Sequence, residues 1–335
     1  MKSSKGIKFF IFSIITMLIV LLPNDAYSIQ KNEKMPKEVI IGGELLHLEL
    51  NTNKVIIFGV SNDSLLKNYD LVESVSGDIV RKVFNEENIK IRSKQDLIKL
   101  LISMKEKDKI KLNLLRNDKL ITVNLEKHEI NPINLIDKIP YTATLTYINP
   151  NDYKFKAVGH SVDFHNNKSI LNNKGEIYDS NIISINKSHK KYVGNINGDK
   201  IPRLKGNIFK ISEYGISGKI NSNSDLKDRK TYKVADEKDI KENYAYVVMR
   251  HNKNEKNKRY KIKITKINKD DNGCVESFNF KIIDKKLLKK YGGIVQGMSG
   301  SPIVQNEKII GALSHVITTD TTNGVGAYIK VMMKE

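Results

Sequence analysis

From residue 132 onward the chain is cut into short apolar runs by turn signals, and no long amphipathic helix interrupts them. Ala143, Leu145 and Tyr147 alternate with Thr144, Thr146 and Ile148, the two-residue period of a half-buried strand. Residues 155–158, 182–185, 206–211, 245–249, 260–267 and 278–283 read the same way. Turns at 149–152, 197–199 and 270–273 separate them. So many short strands at this spacing can bury their apolar faces only in an all-β barrel or sandwich.

The ends and the composition narrow the rest. Lys2, Lys5 and Lys8 precede an apolar stretch from Phe9 to Leu22, closed by Pro23, Asn24 and Asp25, and Ala26-Tyr27-Ser28 has the form of a cleavage site. Residues 1–28 therefore read as a secretory signal peptide or, if retained, a membrane anchor helix, with the rest of the chain crossing a membrane. The 335 residues suffice for two folded domains. A net charge of +19 would suit an anionic partner. The lysines, however, are spread evenly, with no aromatic-studded basic stripe and no zinc-finger or RNA-binding signature, so nucleic acid is not expected as a partner. The single cysteine, Cys274, excludes an intrachain disulfide and any zinc site built from several cysteines. No metal-ligand constellation is visible, and no cofactor is expected.

Residues 36–128 read as a small α+β unit. Strands are expected at 39–43, 45–50 and 55–60, and another opening at Gly77-Asp78-Ile79-Val80. Ser93 and Asp96 form a capping-box-like helix start, followed by Leu97, Ile98, Leu101 and Met104 on one face. A hairpin turning at Asn117-Asp118 closes the unit. The Gly-Asp-Ile-Val run followed by a helix resembles a PDZ domain. The resemblance implies peptide binding by strand addition, with Gly42 and Gly43 as the loop whose amides would hold a carboxylate.

Residues 132–335 carry the chemistry. Gly297-Met298-Ser299-Gly300-Ser301-Pro302 lies between two apolar runs, and glycines beside a serine let backbone N–H groups approach a substrate oxyanion. Ser301 competes with Ser299, but Pro302 restricts it and removes the next N–H. Of seven histidines, His160 in Gly159-His160-Ser161 has the most site-like setting for a general base, and His315 is its competitor. His165 and His189 lie in polar loops, His251 in a charged one, and His47 and His128 belong to the first unit. The acidic partner is open among Asp284, Asp163, Asp179 and Asp199.

The Gly297-x-Ser299-Gly300 loop, and a histidine before a serine on β-strands, resemble chymotrypsin-like serine peptidases. More closely, residues 157–162, 175–178 and above all 292–303 (Gly-Gly-Ile-Val-Gln-Gly-Met-Ser-Gly-Ser-Pro-Ile) resemble the stage IV sporulation protein B family of signalling serine peptidases. That resemblance implies a multidomain chain: an N-terminal membrane segment, a PDZ domain, and a mainly-β chymotrypsin-like double β-barrel peptidase domain over 132–335. It implies Ser299 as nucleophile, His160 as base, Asp284 as the orienting acid, and the amides of Gly297 and Ser299 as oxyanion donors. It further implies self-cleavage, and cleavage of a membrane-bound regulator of an intramembrane metalloprotease in the space between forespore and mother cell. That would be sporulation signalling that activates a sigma factor. The alternative is a catalytically inactive PDZ-containing scaffold on the export side of the membrane, against which the presence of both Gly-His-Ser and Gly-Met-Ser-Gly argues.

Overall fold

The structure, a computed structural model, describes residues 35–162, 170–221, 226, 229–252 and 255–334. The segment read as a signal or anchor lies outside these residues. Among the described residues no helix is long and apolar enough to cross a membrane. The fold is mainly β, and its strands follow the sequence pattern.

The elements run β1 (Glu38–Ile41), β2 (Leu45–Ile57), β3 (Leu71–Ser76), α1 (Asp78–Phe84), β4 (Asn88–Lys90), α2 (Lys94–Ser103), β5 (Lys109–Arg116) and β6 (Lys119–Glu126). They continue with β7 (Leu135–Ile148), β8 (Lys154–Ala157), β9 (Leu171–Asn186), β10 (Asn195–Ser212), β11 (Gly215–Ile220), β12 (Thr231–Val234), β13 (Tyr244–Met249), β14 (Lys258–Lys269) and β15 (Val275–Ile282). Then come α3 (Lys285–Tyr291), β16 (Pro302–Gln305), β17 (Lys308–Val316), β18 (Asn323–Tyr328) and α4 (Ile329–Met333).

The strand pairings return on themselves twice. β2 pairs β7, β7 pairs β8, β8 pairs β11, β11 pairs β10, β10 pairs β9, and β9 pairs β2. A second antiparallel ring runs β13–β14–β15–β18–β17–β16 and back to β13. Closure leaves no unpaired edge within either ring. Each ring has its own core: Leu46, Leu48, Leu145 and Phe155 in the first, Ile262, Phe278, Phe280 and Ile303 in the second.

Residues 58–130 form a smaller unit of β3–β6, α1 and α2 with a third core around Val72, Val80, Leu97 and Leu112. The capping box at Ser93 and Asp96 forms, and Leu97 and Leu101 are buried. Asn117 and Asp118 both take positive φ, as a two-residue hairpin turn requires. Residues 78–84, expected as a strand, are helical. Gly77 at φ 132° ends β3, and Ile79, Val80 and Val83 then share a helix face. β1 and β2, grouped by the sequence reading with residues 36–128, hydrogen-bond instead to β7, β9 and β12. Only Val55 and Ile56 of β2 pair with β3.

Candidate active site

Two tight turns deliver the site. β8 ends in a three-residue γ-turn closed by Gly159 N–H donating to Ala157 O at 3.1 Å, with Val158 at φ 77°. A β-branched residue there is strained, at a cost of order 1–3 kcal/mol. His160 follows directly. Its Nδ1 lies 2.5 Å from Ser161 O. A carbonyl only accepts, so Nδ1 carries the proton and Nε2 of the neutral ring is the basic lone pair.

The serine loop joins α3 to β16 and is held by β7. Thr144 N–H donates to Ser299 O at 2.9 Å, Thr144 Oγ1 to Gly297 O at 2.7 Å, and Thr146 Oγ1 to Gly300 O at 2.8 Å. Both threonines are buried. Gly300 has φ 93°, and a Cβ there would lie 2.1 Å from Thr144 O, so no other residue fits. Ser299 is half-buried, whereas Ser301 is fully buried and its Oγ has no hydrogen-bond partner. The amides of Gly297 and Ser299 donate to no acceptor among the described residues.

Ser299 and His160 line one cleft of about 640 Å³. Ser299 Oγ contacts the carbonyl oxygens of Val158 and Ser314, each at 3.2 Å, rather than an imidazole. His315 lines the same cleft, its ring centroid 4.9 Å from that of His160. Ser314 Oγ donates to Gly159 O at 3.0 Å and lies 2.7 Å from His315 Nδ1. The serine has one proton, so His315 Nδ1–H is the donor in that pair and its Nε2 is also basic. Burial lowers the pKa of His315, which holds the ring neutral at neutral pH.

Asp284 is elsewhere. Its carboxylate caps α3, accepting from Lys286 N at 2.8 Å and Leu287 N at 3.1 Å, and also accepts from Lys261 N at 3.2 Å. It does not line the cleft. Three backbone amides hold the carboxylate as a helix cap, away from the cleft. Asp179 pairs with Lys205, and Asp199 is exposed outside the cleft. Asp163 and His165 lie outside the described residues. His47, His128, His189 and His251 are not in the cleft.

Gly42 and Gly43 spend their amides on β7, donating to Thr146 O at 3.0 Å and Leu145 O at 2.8 Å. The carboxylate-holding role expected of them therefore has no free N–H. The β2 edge near Ile57 is also taken: Ile56 and Ile57 pair with Ile136 and Leu135, and Phe58 N–H donates to Asn134 O at 2.8 Å. The sequence reading missed Thr144 and Thr146 as anchors of the serine loop. Their signal was a row of hydroxyls, Thr142, Thr144 and Thr146, on one face of the strand.

No curated protein matches this chain. The family model described as SpoIVB peptidase S55 matches residues 133–333, from just before β7 to the end of α4. That span holds Ser299, His160 and every residue lining their cleft. With well over half of its length matched, the chain belongs to the SpoIVB peptidase S55 family of serine peptidases.

Proposed function

We propose that Ser299 is the nucleophile of this endopeptidase and His160 its general base. The observation that carries the reading is the meeting of both side chains in one cleft beside two amides that have no acceptor among the described residues. Ser299 Oγ attacks the scissile carbonyl carbon while His160 Nε2 takes its proton. The carbonyl oxygen becomes an oxyanion held by the amides of Gly297 and Ser299. The imidazolium then protonates the leaving amine, and water repeats the sequence on the acyl-enzyme. Ser161 O, accepting from Nδ1–H, fixes the tautomer that leaves Nε2 facing the proton transfer. Ser299 must first leave the two carbonyls that hold it, a change compatible with the looser hydrogen bonds of substrate-free sites.

The two closed rings support a chymotrypsin-like double barrel, and the β3–β6 unit a PDZ-like module inserted after β2. We assign the chain, by its family, to intercompartment sporulation signalling. It would be exported or anchored through residues 1–28, cleave itself, and cut a membrane-bound regulator of an intramembrane metalloprotease upstream of sigma-factor activation.

Self-cleavage of the full chain tests the assignment. Wild type and Ser301→Ala should fragment, while Ser299→Ala and His160→Ala stay intact. An uncharged serine-directed fluorophosphonate should label wild type at Ser299. Fragmentation of folded Ser299→Ala would overturn the choice of nucleophile, and an inert, unlabelled wild type would favour the scaffold.

A further inference from the structure

Ser299 and His160 come from different rings. Ser299 sits on the loop that leads into β16 of the second ring, and His160 follows β8 of the first. Their meeting therefore depends on how the two rings are held against each other.

A buried carboxylate stands at that junction. Glu44, directly before β2, is only 5% exposed and does not line the Ser299 cleft. Three cations converge on its Oε1. Arg229 Nη1 donates to it at 2.9 Å, Lys205 Nζ donates at 3.3 Å, and Arg250 Nη2 lies at 2.9 Å. Lys205, on β10 of the first ring, is shared with Asp179 on β9. Arg250 directly follows β13 of the second ring. Its Nε is buried and has no hydrogen-bond partner among the described residues. Burial opposes the charge on Glu44, but the fields of Lys205, Arg229 and Arg250 outweigh it and hold the carboxyl far below the usual carboxylate range. At neutral pH the group is an anion with no proton to give, so its part is not acid–base chemistry.

Backbone bonds run through the same stretch. Arg250 N–H donates to Gly43 O at 2.6 Å, Gly43 N–H to Leu145 O at 2.8 Å, and Leu145 N–H to Glu44 O at 3.0 Å. Leu145 stands between Thr144 and Thr146, which hold the carbonyls of Gly297, Ser299 and Gly300. A continuous path thus leads from β13 through Arg250 and Glu44 to β7, and from β7 back to the serine loop.

We infer that Glu44 is a positioning residue: through Arg250 and β7 it fixes the second ring on the first so that Ser299 and His160 face each other. The inference rests on the reading of those two residues as nucleophile and base.

Two substitutions in the full chain test it. Glu44→Gln keeps the shape but strands buried cations. Arg250→Met is gentler, since Glu44 keeps Lys205 and Arg229. Saturation kinetics with the uncharged fluorophosphonate separate its affinity from the maximal rate of labelling at Ser299. Each variant is assayed well below its own unfolding midpoint, where a role in stability alone leaves that rate unchanged. Both should lose at least about tenfold in maximal rate, with affinity within about threefold of wild type. The double variant should lose little more than Glu44→Gln, because the two side chains act as one tie.

Folded variants that label at the wild-type rate overturn the inference and leave the nucleophile in place, as does a loss confined to affinity. Additive losses in the double variant overturn the route through Arg250. If Glu44→Gln does not fold, Arg250→Met alone decides; if neither folds, the tie serves folding and the inference is overturned. If wild type takes no label, the reading of Ser299 falls and the inference falls with it.

Discussion

The imidazoles of His160 and His315 sit 4.9 Å apart, centroid to centroid, in the cleft that also holds Ser299. Each has Nδ1 tied to an oxygen, Ser161 O for one and Ser314 Oγ for the other, which leaves both Nε2 atoms basic. His160→Gln should lower the acylation rate of a peptide ester roughly a thousandfold or more. His315→Gln should stay within about tenfold of wild type, because its ring acts on the base only through contact. Single-turnover kinetics separates the two, and the reverse pattern would assign the base to His315.

Thr144 supplies two bonds to the serine loop. Thr144→Val keeps the shape and the backbone bond but leaves the buried Gly297 carbonyl unpaired, at about 1–3 kcal/mol. Thermal unfolding should show that loss. The rate of fluorophosphonate labelling at Ser299 should fall too, and Thr144→Ser should restore both.

Asp284 acts as a helix cap. Asp284→Ala should cost about 1 kcal/mol in denaturant unfolding, while Asp284→Asn, itself a good cap, should cost far less. Peptidase activity of Asp284→Asn should remain within a few fold of wild type. A loss of several orders of magnitude without a change in stability would show that the carboxylate reaches the imidazole during turnover.

The serine loop and His160 were legible because their chemistry is local: glycine, proline and serine in a fixed order, and a histidine behind a glycine. The strands were legible from their period, and so was the α2 cap. His315 was legible only as a competitor of His160, and that both rings meet in one cleft emerges only when β17 is seen bordering it. Asp284 could be read in two ways. Its place before Lys285 and Leu287 is equally a cap signature and a family position, and its three amide partners show the cap. Which strands close which ring depends on long-range pairing, such as Leu46 with Asp179, that no local pattern encodes.

The matched family span begins at residue 133, yet the first ring is closed by β2, which lies before it. A chain of residues 133–335 would open β7 and β9 along their edges and uncover the core contributed by Leu46, Leu48 and Leu50. It should be recovered aggregated, whereas residues 36–335 should elute as a folded species with labelled Ser299. Size-exclusion chromatography after parallel expression decides.

His251 is buried, with Nε2 2.7 Å from Tyr260 Oη and Nδ1 2.7 Å from Tyr291 Oη and 2.9 Å from Lys290 Nζ. Burial first, then the Lys290 charge, pushes its pKa down to about 4 from 6.5. A base depressed on folding binds its proton more readily in the unfolded chain. Stability from this group is therefore complete above pH 6.5 and is lost as pH falls toward 4. Unfolding midpoints between pH 7 and 4 should fall less in His251→Phe than in wild type.

β2 and β7 belong to two bodies at once. One end of each packs into the core of the smaller unit, at Ile57 and Leu135, and the pair runs on, past a register shift between Asn51 and Ile56, into the first ring, where β7 grips the serine loop through Thr144. The smaller unit is thus not a bead on a string but the handle of a double-stranded lever whose other end holds the serine loop. Force or ligand applied to the handle would meet two paired strands rather than a loose linker on its way to the serine loop.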